Sequence, residues 1–204
     1  MRLVIAMPCY DTVARETALS LSMLCFRLGQ QPPEGLEWFG IDWRSSSNLP
    51  ESRHVLAVRA LEKHRATHIL WVDSDMAFPK DALHRLLAHD RDIVGCNYPR
   101  RMPPHISSAT DISGQPVKHS ASGLESVSVI GFGVLLTRAS VFTREYEMPL
   151  FSHHDEQGYC TEDVTFCKKV RASGLEIWVD HDLSREVRHV GSISLGHEQM
   201  EQAQ

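Results

Sequence analysis

Paired cysteines, long apolar runs and an excess of positive charge are all missing from this sequence, and each absence removes a class of protein. The five cysteines, at positions 9, 25, 96, 160 and 167, include no C-x-x-C pair and are odd in number. A disulfide framework is therefore not expected, and a reducing compartment fits better. No apolar stretch approaches the roughly 18 residues that a helix needs to span a bilayer. The first apolar run begins at residue 2, with no charged region and leader-like segment before it, so a cytoplasmic location is expected. Formal net charge is −5, which opposes a broad electrostatic grip on nucleic acid and leaves room only for a local basic patch. No internal repeat and no interdomain linker interrupts the chain. Its 204 residues, 42% of them hydrophobic, suffice for one full-sized α/β domain.

What the sequence does contain is an alternation of short apolar runs and amphipathic segments. "RLVIAM" (2–7), stopped by Pro8, reads as a buried strand. Residues 12–28 show helical spacing and end before Gly29, with Thr12 as candidate cap. "LEWFGID" (36–42) reads as a second strand, "SSSNLP" (45–50) as a polar loop, 51–66 as a helix and "HILWV" (68–72) as a third strand. Pro79 opens another helix, and 92–98 reads as a fourth strand. This β-α-β-α-β-α-β opening predicts a Rossmann-like, mostly parallel central sheet with helices on both faces. Residues 99–123, rich in Pro, Ser, Gly and His, read as a long loop, a kind of connection that is often functional. Residues 126–142 read as a strand followed by a strand-to-helix turn, 162–174 as a helix, 175–179 as a last strand, and the chain after about Gly191 as a polar tail.

Two aspartates one residue apart are weak evidence alone, because twelve aspartates in 204 residues produce such a triplet by accident. Three occur here. Asp90 and Asp92 flank Arg91 between a helix and a strand, where a solvated turn is the simplest reading. Asp180 and Asp182 follow a strand, but "DLSREV" suits a capped turn with local ion pairs equally well. Asp73 and Asp75 are better placed. They follow the third strand, and open parallel sheets bind ligands beyond the carboxyl ends of their strands. Like charges this close repel unless a cation lies between them or both face water, so a divalent ion with oxygen ligands is expected. The plain alternative is a cap for the helix near Pro79.

At these residues the chain resembles a known family. "HILWVDSDMAF" (68–78) is similar to the D-x-D strand of GT-A glycosyltransferases, especially family-2-like enzymes, and the likeness runs over roughly residues 2–192. It implies a GT-A domain over 1–192, with a nucleotide-binding half (1–98), an acceptor-side half (99–192) and a polar tail (193–204). "AMPCYD" resembles the turn over base and ribose, which implicates Pro8 and Tyr10. Asp42 stands where a strand-terminal Asp binds the base edge, and Arg53, twenty residues before Asp73, where the family places an Arg near the donor. "GFGVLLTRASVF" resembles the segment beside the transferred sugar, which implicates Gly131 and Gly133. "TEDVTFCKKVRASG" resembles the Glu-Asp motif at a helix start, making Glu162 and Asp163 the catalytic candidates. "RHVGS" resembles the late metal-ligating His, so the implied metal set is Asp73, Asp75 and His189, holding Mn²⁺ or Mg²⁺. The overall pattern also resembles short glycosyltransferases encoded by phages or prophages. The sequence departs from the family where "WRSSSN" replaces the usual Gly-Ser-x-Asp.

The implied activity is transfer of a hexosyl group from a UDP- or GDP-sugar to an acceptor hydroxyl, with inversion, whereas retention on the same fold would make Asp163 an acceptor-orienting group instead. Charge building on the diphosphate calls for a cation, here on Asp75, with Asp73 on ribose or on metal-bound water and His189 as imidazole ligand. The hydroxyl calls for a base, for which Asp163 is the candidate, although Glu162 and Asp163 also simply complement a helix N-terminus, which lowers a carboxylate pKa. The two glycines permit close backbone approach to a ligand or mark a bulge. Arg100 and Arg101, after Tyr98, are placed to meet phosphate or to be merely solvated. A sugar nucleotidylyltransferase is a competing class, but its Gly-rich loop after the first strand is absent from "MPCYDTVARE". A nucleotide-sugar binding module without turnover is the non-enzymatic alternative. The acceptor stays open among a glycan, a protein, a small molecule and a modified DNA base. His189, ahead of a polar tail, is expected to close over the donor.

Overall fold

The sheet is built around β1 (Arg2–Cys9), whose residues from Leu3 to Pro8 are all buried. The computed structural model describes residues 1–101 and 103–191, so the 193–204 tail lies outside the described residues. β2 (Trp38–Ser45) and β3 (His68–Val72) flank β1 in parallel, with Ala6 opposite both Asp42 and Trp71. The crossovers are α1 (Arg15–Gln30) and α2 (Leu49–Glu62). After β3 come the short β4 (Met76–Ala77), α3 (Ala82–Ala88) and β5 (Ile93–Gly95). The 99–123 segment contributes β6 (Thr110–Asp111), followed by β7 (Leu124–Val129), β8 (Val134–Arg138) and a 3-10 helix, Ala139–Thr143. A small ribbon, β9 (His154–Asp155) and β10 (Gly158–Tyr159), precedes α4 (Glu162–Ala172). β11 (Ile177–Asp180), α5 (His181–Ser184) and β12 (Arg188–His189) complete the described chain.

The main sheet has the order β2-β1-β3-β8-β5-β11-β7-β6. β8 pairs antiparallel with both β3 and β5, and β7 antiparallel with both β11 and β6, so six of the eight strands share one direction. The alternation of strand side chains feeds two cores. Val4, Ala6, Ile69 and Trp71 meet α2 and α4 on one face. Leu3, Ile5, Leu70 and Val72 meet α1 and α3 on the other. Trp71 is fully buried, with its edge on Phe132 at 5.4 Å and its Nε1 donating to Thr137 Oγ1 at 3.1 Å. Among the described residues no helix is long and apolar enough to cross a membrane.

Several local expectations need correction. α1 begins at Arg15 with Ala14 at its N-cap, so Thr12 does not cap it. The "SSSNLP" loop is shorter than expected, because Asn48 caps α2 by accepting from the Glu51 N–H at 3.2 Å and Pro50 sits in the first turn. β2 runs three residues past Asp42, which makes Asp42 a strand-interior residue. The 126–142 segment forms two strands, because β8 finds partners in β3 and β5 that are remote in sequence.

Candidate functional site

The turn after β3 carries both aspartates. The Asp73 N–H donates to the Gly133 carbonyl at 3.1 Å, and the Met76 N–H returns to the Asp73 carbonyl at 3.3 Å. β4 then pairs with β12, setting Met76 opposite His189. The Val190 N–H donates to the Asp75 carbonyl at 2.7 Å. Backbone pairing alone therefore fixes His189 beside Asp75, with Nε2 3.5 Å from Asp75 Oδ2. The His189 Nδ1–H donates to the Pro99 carbonyl at 3.0 Å, which in the neutral ring leaves the Nε2 lone pair facing Asp75. The β4–β12 ribbon thus brings His189 to the site through main-chain pairing.

Arg53 answers why two carboxylates can share this turn. Its side chain is 2% exposed, and it donates from Nη2 to Asp73 Oδ1 at 2.9 Å and from Nε to Glu162 Oε1 at 3.0 Å. Its guanidinium lies 4.6 Å over the Phe132 ring. Burial disfavours its charge, but Asp73 and Glu162 together outweigh burial and raise its pKa. Asp75 has a separate cation: Arg101 Nη2 stands 2.6 Å from Asp75 Oδ2. Each aspartate is thus neutralised by its own arginine. Burial raises the Asp73 pKa despite Arg53. At Asp75 burial pushes upward too, but His189 and Arg101 prevail and the pKa is lowered. The His189 pKa is raised, chiefly by its hydrogen bond to Asp75.

Glu162 and Asp163 open α4 as expected, but they part company there. Glu162 is buried and committed to Arg53. Asp163 is half-buried, and its Oδ1 accepts from the Val164 N–H at 2.8 Å and from the Thr161 hydroxyl. Burial, then repulsion from Glu162, raises its pKa, opposite to the lowering expected from the helix dipole alone.

These groups face a cleft of about 420 Å³ whose lining includes Pro8, Tyr10, Arg53, Asp73, Asp75, Asp163 and His189. Asp42 is not among them. It is held under α2 by Arg59 at 3.4 Å and by His64 at 3.1 Å, because β2 continues beyond it. Ser46, Ser47 and Leu49 line the cleft from the start of that crossover instead. Gly131 and Gly133 do admit a close neighbour, and that neighbour is Tyr98. A Cβ at 131 would lie 2.3 Å from its hydroxyl, and one at 133 would lie 2.6 Å from its ring. The Gly133 N–H donates to the Tyr98 hydroxyl at 2.9 Å, and burial keeps that phenol neutral by pushing its pKa well up. Sequence reasoning missed Tyr98 as a site wall. Its signal was the pair of glycines around Phe132.

The other aspartate triplets have ordinary explanations. Asp180 caps α5, accepting from the Leu183 N–H at 2.8 Å, and Asp182 pairs with Arg185 at 2.6 Å. Asp90 and Asp92 both meet Arg138 at the surface.

As a metal site the arrangement is narrower than the three-residue set. Among the described residues, no group of three His, Cys, Asp or Glu side chains is gathered to hold an ion. Asp73 is turned to Arg53 and does not join Asp75 and His189. These two offer one carboxylate oxygen and one imidazole nitrogen, a donor set that suits a divalent ion completing its shell with water and phosphate oxygens.

No family model and no curated protein matches this chain. Solved structures do. The crystal structure of A197 from STIV has a TM-score of 0.59 at 14% identity, over 97% of this chain and 100% of that one. Residues 1–349 of S. aureus TarS in complex with UDP-GlcNAc give 0.54 at 14% identity, over 96% of this chain and 60% of that one. GalNAc-T7 with UDP, GalNAc and Mn²⁺ gives 0.54 at 9% identity, over 95% of this chain and 44% of that one. The fold is therefore of the GT-A glycosyltransferase type. The chain matches A197 along its full length and about half of the two larger proteins.

Proposed function

We propose that this protein is a glycosyltransferase that moves a sugar from a UDP- or GDP-sugar to an acceptor hydroxyl with inversion, using Mn²⁺ or Mg²⁺. The observation that carries the reading is the Asp75–His189 pair. The β4–β12 ribbon holds it at the carboxyl end of β3, in a cleft that Asp163 also lines. Two fold neighbours, one in complex with UDP-GlcNAc and one with UDP, GalNAc and Mn²⁺, support the donor class.

In this reading Pro8, Tyr10 and Ser46 receive the nucleoside, and Asp75 and His189 hold the ion, which when bound supplies positive charge to the leaving diphosphate. Arg53 fixes Asp73 in the orientation that faces the ribose. Asp163 takes the proton from the acceptor hydroxyl on Oδ2, since Oδ1 is already engaged by Val164 and Thr161. Its raised pKa makes it a stronger base than an ordinary carboxylate. The acceptor oxygen bonds to the anomeric carbon from the face opposite the diphosphate. The bond to the diphosphate breaks, and its electron pair leaves with that group. Glu162 acts as the partner that holds Arg53 and takes no part in proton transfer.

A panel of nucleotide sugars, each with and without Mn²⁺, tests the reading by metal-dependent donor hydrolysis and by calorimetric binding of UDP and GDP. Asp75→Ala should abolish Mn²⁺-dependent nucleotide binding and leave the melting profile intact. Binding of UDP that is indifferent to Mn²⁺ in the wild type, or unchanged in this variant, would remove the proposed metal site.

A further inference from the structure

A second hollow, of about 480 Å³, lies at the same end of the sheet, beyond the carboxyl ends of β5 and β11. Tyr98 lines both it and the donor cleft, so one buried phenol forms a wall of each. The rest of its lining is rich in cationic and imidazole groups: His105, Lys118 and His119 from the long segment after β5, and His181 and Arg185 from α5 and just beyond. The carboxylates that face these groups are already engaged. Glu125 of β7 is 2.7 Å from the Nε2 of buried His181, and Asp182 is 2.6 Å from Arg185. Lys118 and His119 are exposed and form no ion pair or side-chain hydrogen bond among the described residues. With His181 and Arg185 paired, Lys118 is the cation of this lining left without a carboxylate among the described residues, and the exposed imidazole of His119 stands next to it in the chain.

We infer that this hollow is the acceptor subsite, and that the acceptor carries an anionic group, phosphate or carboxylate, close to the hydroxyl that receives the sugar. The inference rests on the transferase reading above. An acceptor must lie next to the donor, and the hollow adjoins the cleft at Tyr98. A lysine, as a mobile point charge, and imidazole N–H groups bind either anion through charge-assisted hydrogen bonds. A neutral glycan would leave Lys118 without a partner. The 99–123 segment thus acquires a role that its length suggested, and Lys118 and His119 become specificity determinants outside the catalytic machinery.

The test uses the full chain with glycerol 3-phosphate and glucuronate as probes, and glycerol and glucose as neutral controls, read by calorimetry with and without saturating UDP and Mn²⁺. At least one anion should bind, be retained when UDP is present, and weaken as salt rises. Lys118→Ala, at an exposed loop position, should weaken that anion about tenfold and leave UDP affinity unchanged. Binding of phosphate alone names a phosphorylated acceptor, and binding of carboxylate alone names an acidic sugar. Displacement of the anion by UDP, equal binding of the neutral controls, or full anion affinity in Lys118→Ala would each overturn the inference while the donor reading stands. Anion binding in a chain that takes neither UDP nor GDP would overturn the transferase reading and the acceptor assignment with it.

Discussion

Replacing Arg53 by Met keeps much of the side-chain volume over Phe132 and removes the charge that Asp73 and Glu162 share. Arg53 is 2% exposed, Glu162 6% and Asp73 27%, so the surviving carboxylates would be poorly hydrated. Removing one member of a buried ion pair costs about 3–5 kcal/mol, because the charge left behind has no compensation. For a chain of this size that is a fall of roughly 6–20 °C in Tm, at about 2–4 °C per kcal/mol. The loss should also depend on pH, with a defined sign. Burial already raises the Asp73 pKa in the native protein, and Arg53 works against that rise. Without Arg53 the folded-state pKa climbs further above the unfolded value of about 3.9. A carboxyl with that relation destabilises progressively as pH rises from its unfolded pKa through its folded pKa, and is neutral in effect below both. The stability gap between Arg53→Met and wild type should therefore be full at pH 7 and narrow toward pH 5. Thermal or urea unfolding at the two pH values measures it, and Arg53→Met with Asp73→Asn should recover part of the loss at pH 7. A gap below about 1 kcal/mol would mean that the cluster behaves as a surface ion pair. A gap of the same size at both pH values would assign the loss to packing over Phe132.

Three further outcomes follow from the site. Asp163→Asn should lower transfer by roughly 10²–10⁴-fold with donor affinity preserved. In the wild type the rate should fall with acid as pH drops through the raised Asp163 pKa, and loss of donor binding in the variant would move Asp163 out of the base role. Arg101→Ala should tighten Mn²⁺ binding in the absence of nucleotide, read by Mn²⁺ spin resonance, because Arg101 Nη2 at 2.6 Å now competes for Asp75 Oδ2. Unchanged affinity would mean that the ion and the guanidinium do not compete. Gly131→Ala should destabilise by about 1–3 kcal/mol through overpacking against the Tyr98 hydroxyl, and adding Tyr98→Phe should return part of it in the same melt. Failure of that rescue would place the strain elsewhere.

The parts of this architecture that could be read from sequence are those governed by short-range pattern. The continuous apolar runs of β1 and β3 and the helical spacing of α1 and α2 were legible, because each element carries its own period. The D-x-D position was legible because β3 is so clearly a buried strand. The errors came where long-range pairing decides. Nothing local to residues 134–138 indicates that β8 will insert between β3 and β5, and nothing near His189 indicates β12. That two-residue strand exists only because β4 offers it an edge. Asp42 was misplaced by three residues of strand extension, enough to put it under α2 instead of in the cleft. Arg53 does line the cleft, but its two carboxylate partners are 20 and 109 residues away, a spacing that carries no local signal.

Those two partners give Arg53 a reach that a simple donor contact would not have. Asp73 shares the turn after β3 with the metal-binding candidate Asp75, and Glu162 adjoins the candidate base Asp163. A single buried guanidinium therefore spans the two sides of the cleft. On one side it absorbs the repulsion that would otherwise force Asp73 to protonate or turn away. On the other it holds Glu162 in place, and Glu162 is among the causes that raise the Asp163 pKa, while Arg53 itself pulls that pKa down. The basicity of Asp163 is then set by a balance between one buried anion and one buried cation joined to each other. Lysine could not replace Arg53 here, because the two hydrogen bonds leave from Nε and Nη2 of one planar group toward carboxylates on different elements. Any change that loosens the Arg53–Glu162 bond should move the acid limb of the rate profile as well as the melting temperature, which a purely structural ion pair would not do.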